Sequence, residues 1–251
     1  MAEVKAFKAL RFTEKAGDIN ELVCPPYDII SDSQRKEYLE KNPDNIIRLE
    51  LPREGTDPYA EAAKVLGAWK EDGILKKDSE KALYIYEIEF EAGGEKKKVS
   101  GLVSRVKLEE FSKGVVLPHE QTLSKAKEDR LNLMKATNCN FSQIYSLYID
   151  GGKIFSLCEM QKKRPADVTA TDGDGLCHRL WIVTDPEFIS AVEKGFEDKK
   201  LYIADGHHRY ETALNYRNYL REKGEADENS EYIMMFLADM EQDGLVVLPT
   251  H

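Results

Sequence analysis

The sequence contains no long apolar run and no recognisable targeting segment. No stretch approaches 18 consecutive apolar residues, and charged side chains interrupt the first eight residues, where a signal peptide needs an apolar core. We therefore expect neither a secretory signal nor a membrane-spanning helix. The pattern indicates a cytoplasmic protein that does not act at a membrane.

Cysteine is also scarce, with four residues at Cys24, Cys139, Cys158 and Cys177. None belongs to a Cys-x-x-Cys pair, so the spacing of a structural zinc site or a redox motif is missing. Without a secretory signal, the four are expected to be reduced thiols rather than parts of a disulfide scaffold.

An excess of basic residues is missing as well. Lysine and arginine number 36 against 46 aspartate and glutamate residues, which gives a net charge of −10. A general basic footprint for nucleic acid is therefore absent, although this does not exclude a local basic site. We expect a small molecule rather than nucleic acid as the partner.

What the sequence does contain is enough apolar material for a sizeable core. Its 251 residues are 41% hydrophobic and 33% charged, a composition that excludes collagen and low-complexity disorder. Apolar periodicity and turn signals predict strands over 4–12, 45–51, 82–92, 97–108, 142–149, 153–159, 176–183, 201–204, 232–238 and 245–248. Helices are predicted from 31 to about 40, between 57 and 73, over 122–136, after 185–186 and over 210–223, with a polar loop at 165–175.

Strands outnumber helices, and the two do not alternate strictly. This order predicts an α+β fold with mixed and antiparallel sheets and interspersed helices, not a doubly wound sheet. The best domain boundary lies near residues 114–118, which separates an N-terminal region (1–115) from a C-terminal region (116–251). The two regions are also compatible with one compact unit.

The sharpest chemical motif runs from Asp205 to Arg209, between an apolar strand and a helix. Unpaired N–H groups and the macrodipole make a helix start attractive to anions. Gly206 lets an anion approach the backbone, while His207, His208 and Arg209 add side-chain donors. The motif predicts a phosphate-binding turn. A metal site made by the two adjacent histidines is a poorer interpretation, because neighbouring side chains diverge.

A second motif, residues 117–122, delivers His119 and Glu120 through a proline-led turn to a helix capped by Thr122. An imidazole beside a carboxylate can act as a general base, and the carboxylate can bind Mg²⁺. The alternative is a solvated acidic turn at a capped helix. If the first interpretation holds, His119 or Glu120 should approach the 205–209 turn closely enough for both segments to contact one phosphate.

Two weaker motifs precede these. Residues 25–28 (Pro-Pro-Tyr-Asp) form a rigid turn, and residues 45–50 (Asn-Ile-Ile-Arg-Leu-Glu) alternate polar and apolar side chains. Arg48 is a candidate phosphate ligand, and the alternative is a strand whose Arg48 and Glu50 merely face solvent.

The ordered set of residues 25–28, 45–49, 119–120, 129–130 and 206–210 resembles the bacterial and archaeal family catalogued as domain of unknown function 1015. The resemblance covers essentially the whole chain. Members of that family usually run well beyond this length. We therefore expect a shortened member whose strand at 232–238 is central and pairs with 245–248. A sheet edge or apolar patch left bare would then be covered by a second copy in a homodimer.

Within that set, Asp205 to Arg209 followed by Ala213 is similar to the phosphate-binding signature of the ParB/sulfiredoxin fold. That fold includes partition proteins that bind CTP, sulfiredoxins that use ATP, and free-serine kinases. His207 stands where sulfiredoxins have their reactive cysteine, so the resemblance does not imply sulfinic-acid repair. No helix-turn-helix module can be placed after the motif, which leaves the kinases as the nearest analogy and puts the 201–223 strand-turn-helix in the core.

The leading functional hypothesis is a nucleotide-dependent phosphotransferase that uses ATP or ADP, or another nucleoside triphosphate, with Mg²⁺ and a small polar acceptor. Gly206, His208, Arg209 and Arg48 would hold the phosphates. His207 and His119 would assist catalysis, and Asp205 or Glu120 would act as base or magnesium ligand. The alternatives are a phosphohydrolase, a non-catalytic nucleotide-binding switch, and a structural domain with incidental histidines.

Overall fold

The structure is a computed structural model, which describes residues 1–120 and 124–245. Side chains are described at all of these residues except 124–126. The strands are β1 (Val4–Lys5), β2 (Leu10–Phe12), β3 (Leu75–Lys77), β4 (Leu83–Ala92), β5 (Glu95–Lys107), β6 (Val116–Leu117), β7 (Ile144–Tyr148), β8 (Val168–Thr171), β9 (Cys177–Val183), β10 (Leu201–Asp205) and β11 (Tyr232–Asp239). The α-helices are α1 (Ile19–Leu22), α2 (Asp32–Lys41), α3 (Ile47–Glu50), α4 (Pro58–Glu71), α5 (Ser124–Thr137), α6 (Lys153–Gln161), α7 (Pro186–Phe196) and α8 (His207–Lys223).

A nine-stranded mixed sheet organises the described part of the chain. Its order is β6-β10-β7-β11-β5-β4-β9-β8, with β1 paired to β5, while β2 and β3 form a separate ribbon. The predicted α+β class is confirmed. The main sheet takes strands from both sides of the predicted boundary at 115/116, and the division into two regions stays a prediction. None of the described helices is both long and apolar enough to cross a membrane.

Strand β11 lies in the interior of this sheet, as its two apolar faces predict. It pairs antiparallel with β5 and parallel with β7. Both of its edges are therefore occupied by strands of this sheet. The predicted hairpin partner at 245–248 lies outside the described residues from 246 onward. The predicted homodimer stays a prediction.

The segment 45–51, predicted as a strand, forms the short helix α3 instead. The side chain of Asn45 accepts a hydrogen bond from the Ile47 N–H at 3.0 Å and donates to two carbonyls near α1. This fully buried asparagine turns the chain into a helix. Alternation failed as a signal because Ile47, Leu49 and Glu50 are all buried in this one turn.

Three other predictions of secondary structure need correction. Residues 153–159 form helix α6, because the Asp150 carboxylate accepts bonds from the N–H groups of Lys153 and Ile154 at 3.1 and 2.9 Å. Strand 4–12 is divided into β1 and β2, and the predicted polar loop at 165–175 contains β8. Local periodicity does not report these outcomes, since partner strands and caps determine them.

Local capping signals were more reliable. Ser31 and Gln34 form the predicted capping box of α2, and Asp57 and Asp185 cap α4 and α7, each followed by proline. The hairpin of β4 and β5 is also confirmed. The predicted cap Thr122 lies outside the described residues. All four cysteines are free.

Candidate functional site

Two parallel strands bring the two strongest motifs together. Strand β6 pairs parallel with β10, with Val116 opposite Leu201 and Leu117 opposite Tyr202. Parallel strands end at the same edge of a sheet, so the residues that follow β6 and β10 must meet. The predicted proximity of His119 to the 205–209 turn is confirmed.

His119 is held by contacts to the end of β10 and to the first residue of α8. Its Nδ1 lies 2.7 Å from the Ile203 carbonyl oxygen, and its backbone N–H donates to His207 Nε2 at 3.2 Å. The two imidazole rings meet edge to face, with centroids 4.4 Å apart. Because a carbonyl oxygen only accepts, Nδ1 of His119 carries the proton, and a neutral ring then keeps its lone pair on Nε2.

His207 is buried and bridges His119 to Glu120. Its Nδ1 lies 3.0 Å from Glu120 Oε1, and only about 1% of its side chain is exposed. Because Nε2 accepts from the His119 N–H, Nδ1 must be the protonated nitrogen that donates to the carboxylate. Burial lowers the pKa of His207, against the opposing effect of Glu120. The buried imidazole is therefore neutral and orients Glu120.

The N-terminus of α8 lies beside this pair. Gly206 takes the left-handed conformation (φ 94°), and no side chain caps the first turn of the helix among the described contacts. The first backbone bond of the helix runs from the Tyr210 N–H to the Gly206 carbonyl. A 17-residue helix thus presents the positive end of its dipole at this turn without a side-chain cap.

Arg209 is fixed in place at this turn. Its Nη1 donates to the Gln143 carbonyl at 2.5 Å, and its Nη2 donates to Asp205. The guanidinium also packs over Gly206, where an added Cβ would lie 3.0 Å from Nε. Asp205 is therefore engaged by Arg209, and its side chain is 63% exposed.

Sequence reasoning missed one cation in this region. Lys127, on α5, donates to Glu211 on the first turns of α8 at 2.6 Å. Both side chains are mostly buried, at 23% and 26% exposure. The packing of α5 on α8 thus adds a lysine near the turn, and no local pattern around residue 127 signals this.

The weaker motifs also reach this region, but the 45–50 motif does so through a residue other than the predicted Arg48. Arg48 donates to the Pro43 carbonyl at 3.3 Å, and the described contacts do not link it to the turn. The residue of its segment that does lie near Arg209 is Glu50, which is buried and accepts a bond from Ser142. Burial raises the pKa of Glu50, while Arg130 and Arg209 oppose that rise.

Arg130 ties the remaining motifs together. Its guanidinium lies 4.0 Å above the ring of Tyr27, its Nη1 donates to the Glu50 carbonyl at 2.6 Å, and its Nε donates to Asp129 at 2.8 Å. The Tyr59 hydroxyl donates to the other oxygen of Asp129 at 2.8 Å. Burial raises the pKa of Tyr27, and the positive charges of Arg130 and Arg209 act against this rise. The five motifs therefore converge on one face, around α8, α5 and α3.

One group of side chains here has the composition of a metal site. Ligand atoms of His119, Glu120 and His207 all lie within 4.8 Å of one another. Two imidazoles and a carboxylate suit Zn²⁺ or Mn²⁺ better than Mg²⁺, which prefers oxygen. However, Nδ1 of His207 carries a proton in this arrangement, so only Nε2 of His119 and the Glu120 carboxylate are free to bind an ion without rearrangement. Asp205, the other predicted magnesium ligand, is not in this group.

Fold and site together define an α+β protein with a mixed sheet and a histidine, glutamate and arginine cluster at a helix N-terminus. A family model described as "Protein of unknown function (DUF1015)" matches residues 4–251, and the chain belongs to that family. Neither a curated protein nor a solved structure matches the chain.

Proposed function

We propose that this protein is a nucleotide-dependent phosphotransferase that transfers a phosphoryl group to a small polar molecule at the 205–209 turn. The observation that carries the proposal is that a candidate general base, held by hydrogen bonds, lies beside the N-terminus of α8, where an anion would be attracted. His119, Glu120 and His207 form one hydrogen-bonded group beside Gly206. In this proposal the strand-turn-helix at 201–223 is the ParB/sulfiredoxin-like core.

The phosphates of ATP or ADP would lie against the N-terminus of α8. The first turn of α8 has no side-chain cap, and the Arg209 guanidinium that packs over Gly206 would face the phosphates there together with His208. Arg209 has five N–H donors, of which two are used by Gln143 and Asp205. The remaining donors can form charge-assisted bonds to phosphate oxygens. Lys127 adds positive charge from α5.

Proton transfer would depend on His119 and Glu120. The acceptor hydroxyl gives its proton to His119 Nε2 or to the Glu120 carboxylate, and its oxygen attacks the terminal phosphorus. The bond from phosphorus to the bridging oxygen breaks, and the shortened nucleotide leaves with that oxygen. His207 holds Glu120 in position through its Nδ1–H. Mg²⁺ bound with the nucleotide would neutralise phosphate charge, and the exposed Glu120 carboxylate fits its preference for oxygen.

Phosphohydrolysis is the closest alternative, because a water molecule in place of the acceptor would use the same base. Thermal shifts with a panel of nucleotides and Mg²⁺ test binding, and product analysis with and without candidate acceptors separates transfer from hydrolysis. A nucleotide that binds without any product would favour the non-catalytic switch. The absence of any nucleotide-dependent shift would contradict the proposal.

The catalytic assignment is tested with matched glutamates. Glu120→Gln should lower turnover by about 10²–10⁴-fold if the carboxylate acts as base, with nucleotide affinity changed only a few-fold. Glu128→Gln, at an exposed position on α5, is the control and should leave turnover unchanged. Equal turnover in both variants would move the base to His119, which His119→Gln then tests.

A further inference from the structure

A second, strongly charged groove lies on the molecule, away from the 205–209 turn. It encloses about 920 Å³ between the tip of the β4–β5 hairpin, the end of α6, strand β9 and residues 242–244. Among the described residues, its lining includes seven lysine or arginine side chains and three acidic ones. The whole chain has a net charge of −10, so positive charge is concentrated in this groove.

The floor of the groove shows how this charge is held. Glu87 is buried, and three cations approach its carboxylate: Lys162 at 2.7 Å, Arg179 at 3.1 Å and Lys98 at 3.6 Å. Arg179 and Lys98 also share Glu89. Lys162 also pairs with Glu159, Lys97 with Glu95 and Arg164 with Asp167, so carboxylates in and around the groove hold most of its cations in place. The lining itself still has seven cations against three carboxylates, in a concave site where the field is focused.

Other cations stand at the rim with loose or exposed contacts. The side chain of Lys96 is 81% exposed, and its ion pair with Glu89 has a separation of 3.5 Å. Exposed pairs of this kind contribute little free energy, so such a lysine can turn to a ligand at small cost. Lys163 is exposed and lies on the opposite side of the groove. A ligand entering here would meet cations on the floor and on two walls.

The groove is separate from the proposed active site. None of the described residues that line it belongs to the motifs that meet at the turn. Four strand spacings separate β10 from β4, which is about 19 Å at the usual spacing between strands. The two sites also differ in position along the strands. The strand register places Asp205 level with Val103 of β5, through Tyr145 and Phe236. The groove begins further along β5, beyond Gly101 towards the hairpin tip.

We propose that this groove is a second binding site for a small polyanion with a run of phosphate groups, either an inorganic polyphosphate or the polyphosphate part of a nucleotide. The volume suits a ligand of nucleotide size. Repeated cations at the floor and the rim match several adjacent anionic groups better than a single charge. Trp181 does not provide a stacking surface for a base, because it is buried and its indole N–H is bonded to the Arg164 carbonyl.

Calorimetric titration of tripolyphosphate, repeated at two salt concentrations, tests the proposal. The Lys96→Glu/Lys163→Glu variant should bind at least tenfold more weakly and show a smaller salt dependence. Lys76→Glu/Lys77→Glu is the control, since it changes the net charge equally at exposed positions on β3. Circular dichroism confirms that each variant is folded, and Lys96→Ala/Lys163→Ala gives a milder test should the charge reversal unfold the protein.

Arg209→Ala separates the two sites, because it should weaken phosphate binding at the turn and leave tripolyphosphate binding in the groove unchanged. Loss of all tripolyphosphate binding in Arg209→Ala would show that the turn is the one site and would overturn the groove proposal, while supporting the proposed function. Unchanged binding in Lys96→Glu/Lys163→Glu, or an equal loss in the control, would also overturn it. Parallel titrations of ATP and adenosine test whether the nucleoside contributes to binding. If ATP binds and adenosine does not, the groove recognises the phosphates alone.

Discussion

Replacement of Arg209 by alanine should weaken nucleotide binding strongly, and the structure allows the loss to be estimated. The guanidinium keeps three N–H groups after its bonds to Gln143 and Asp205. Two charge-assisted bonds to a phosphate would contribute about 1.5–3 kcal/mol each. Asp205 already compensates part of the positive charge, so we expect a net loss of about 2–3 kcal/mol. This corresponds to roughly 30- to 160-fold in Kd.

The side chain of Arg209 is only 15% exposed, so its removal also tests whether the turn stays folded. Arg209→Lys keeps the charge but loses the planar fork, and should recover only a small part of the affinity. Arg221→Ala is a suitable control, because Arg221 lies on the same helix and pairs with Glu231 at the surface. Its nucleotide affinity should equal that of the unchanged protein.

Isothermal titration calorimetry with ATP or ADP and Mg²⁺ measures the effect, with thermal unfolding recorded for each variant. A folded Arg209→Ala protein that binds nucleotide as tightly as Arg221→Ala would refute the reasoning. The phosphate site would then have to lie elsewhere. If all variants fail to bind, the refutation extends to the proposed nucleotide itself.

Three predictions concern stability. Gly101→Ala should lower the free energy of unfolding by about 1–3 kcal/mol in urea titrations, because a Cβ would lie 2.3 Å from the Leu237 carbonyl oxygen. Gly67→Ala is the control: it has open space around it and should be neutral or stabilising. Asp239→Asn should raise the free energy of unfolding at pH 7, because burial raises the pKa of Asp239 and so penalises its charged form in the folded state. This gain should fade as the pH falls towards the ordinary value of 3.8, and a gain independent of pH would contradict the reasoning. Ser31→Ala should cost about 1 kcal/mol through loss of the α2 cap, and an unchanged urea midpoint would show that the capping box is not needed.

The sequence by itself determined the features that depend on a few neighbouring residues. Ser31, Asp57 and Asp185 each start a helix, because a cap needs only a side-chain oxygen and the next turn of backbone. The α+β class and the central position of the 232–238 strand could also be read, since an apolar run on both faces must be covered twice. The Asp205–Arg209 turn was recognised because strand, glycine and helix follow one another directly.

Tertiary structure alone decided which residues share the site. The parallel pairing of β6 with β10 sets His119 against His207, and the packing of α5 on α8 adds Lys127. Glu50, not the expected Arg48, reaches the site because residues 47–50 form a helix. That helix depends on Asn45, which donates to two carbonyls more than 20 residues earlier in the chain, and the local sequence pattern does not reveal these contacts. Such contacts join residues far apart in the chain, and their free energy exists only once the sheet and its helices have assembled.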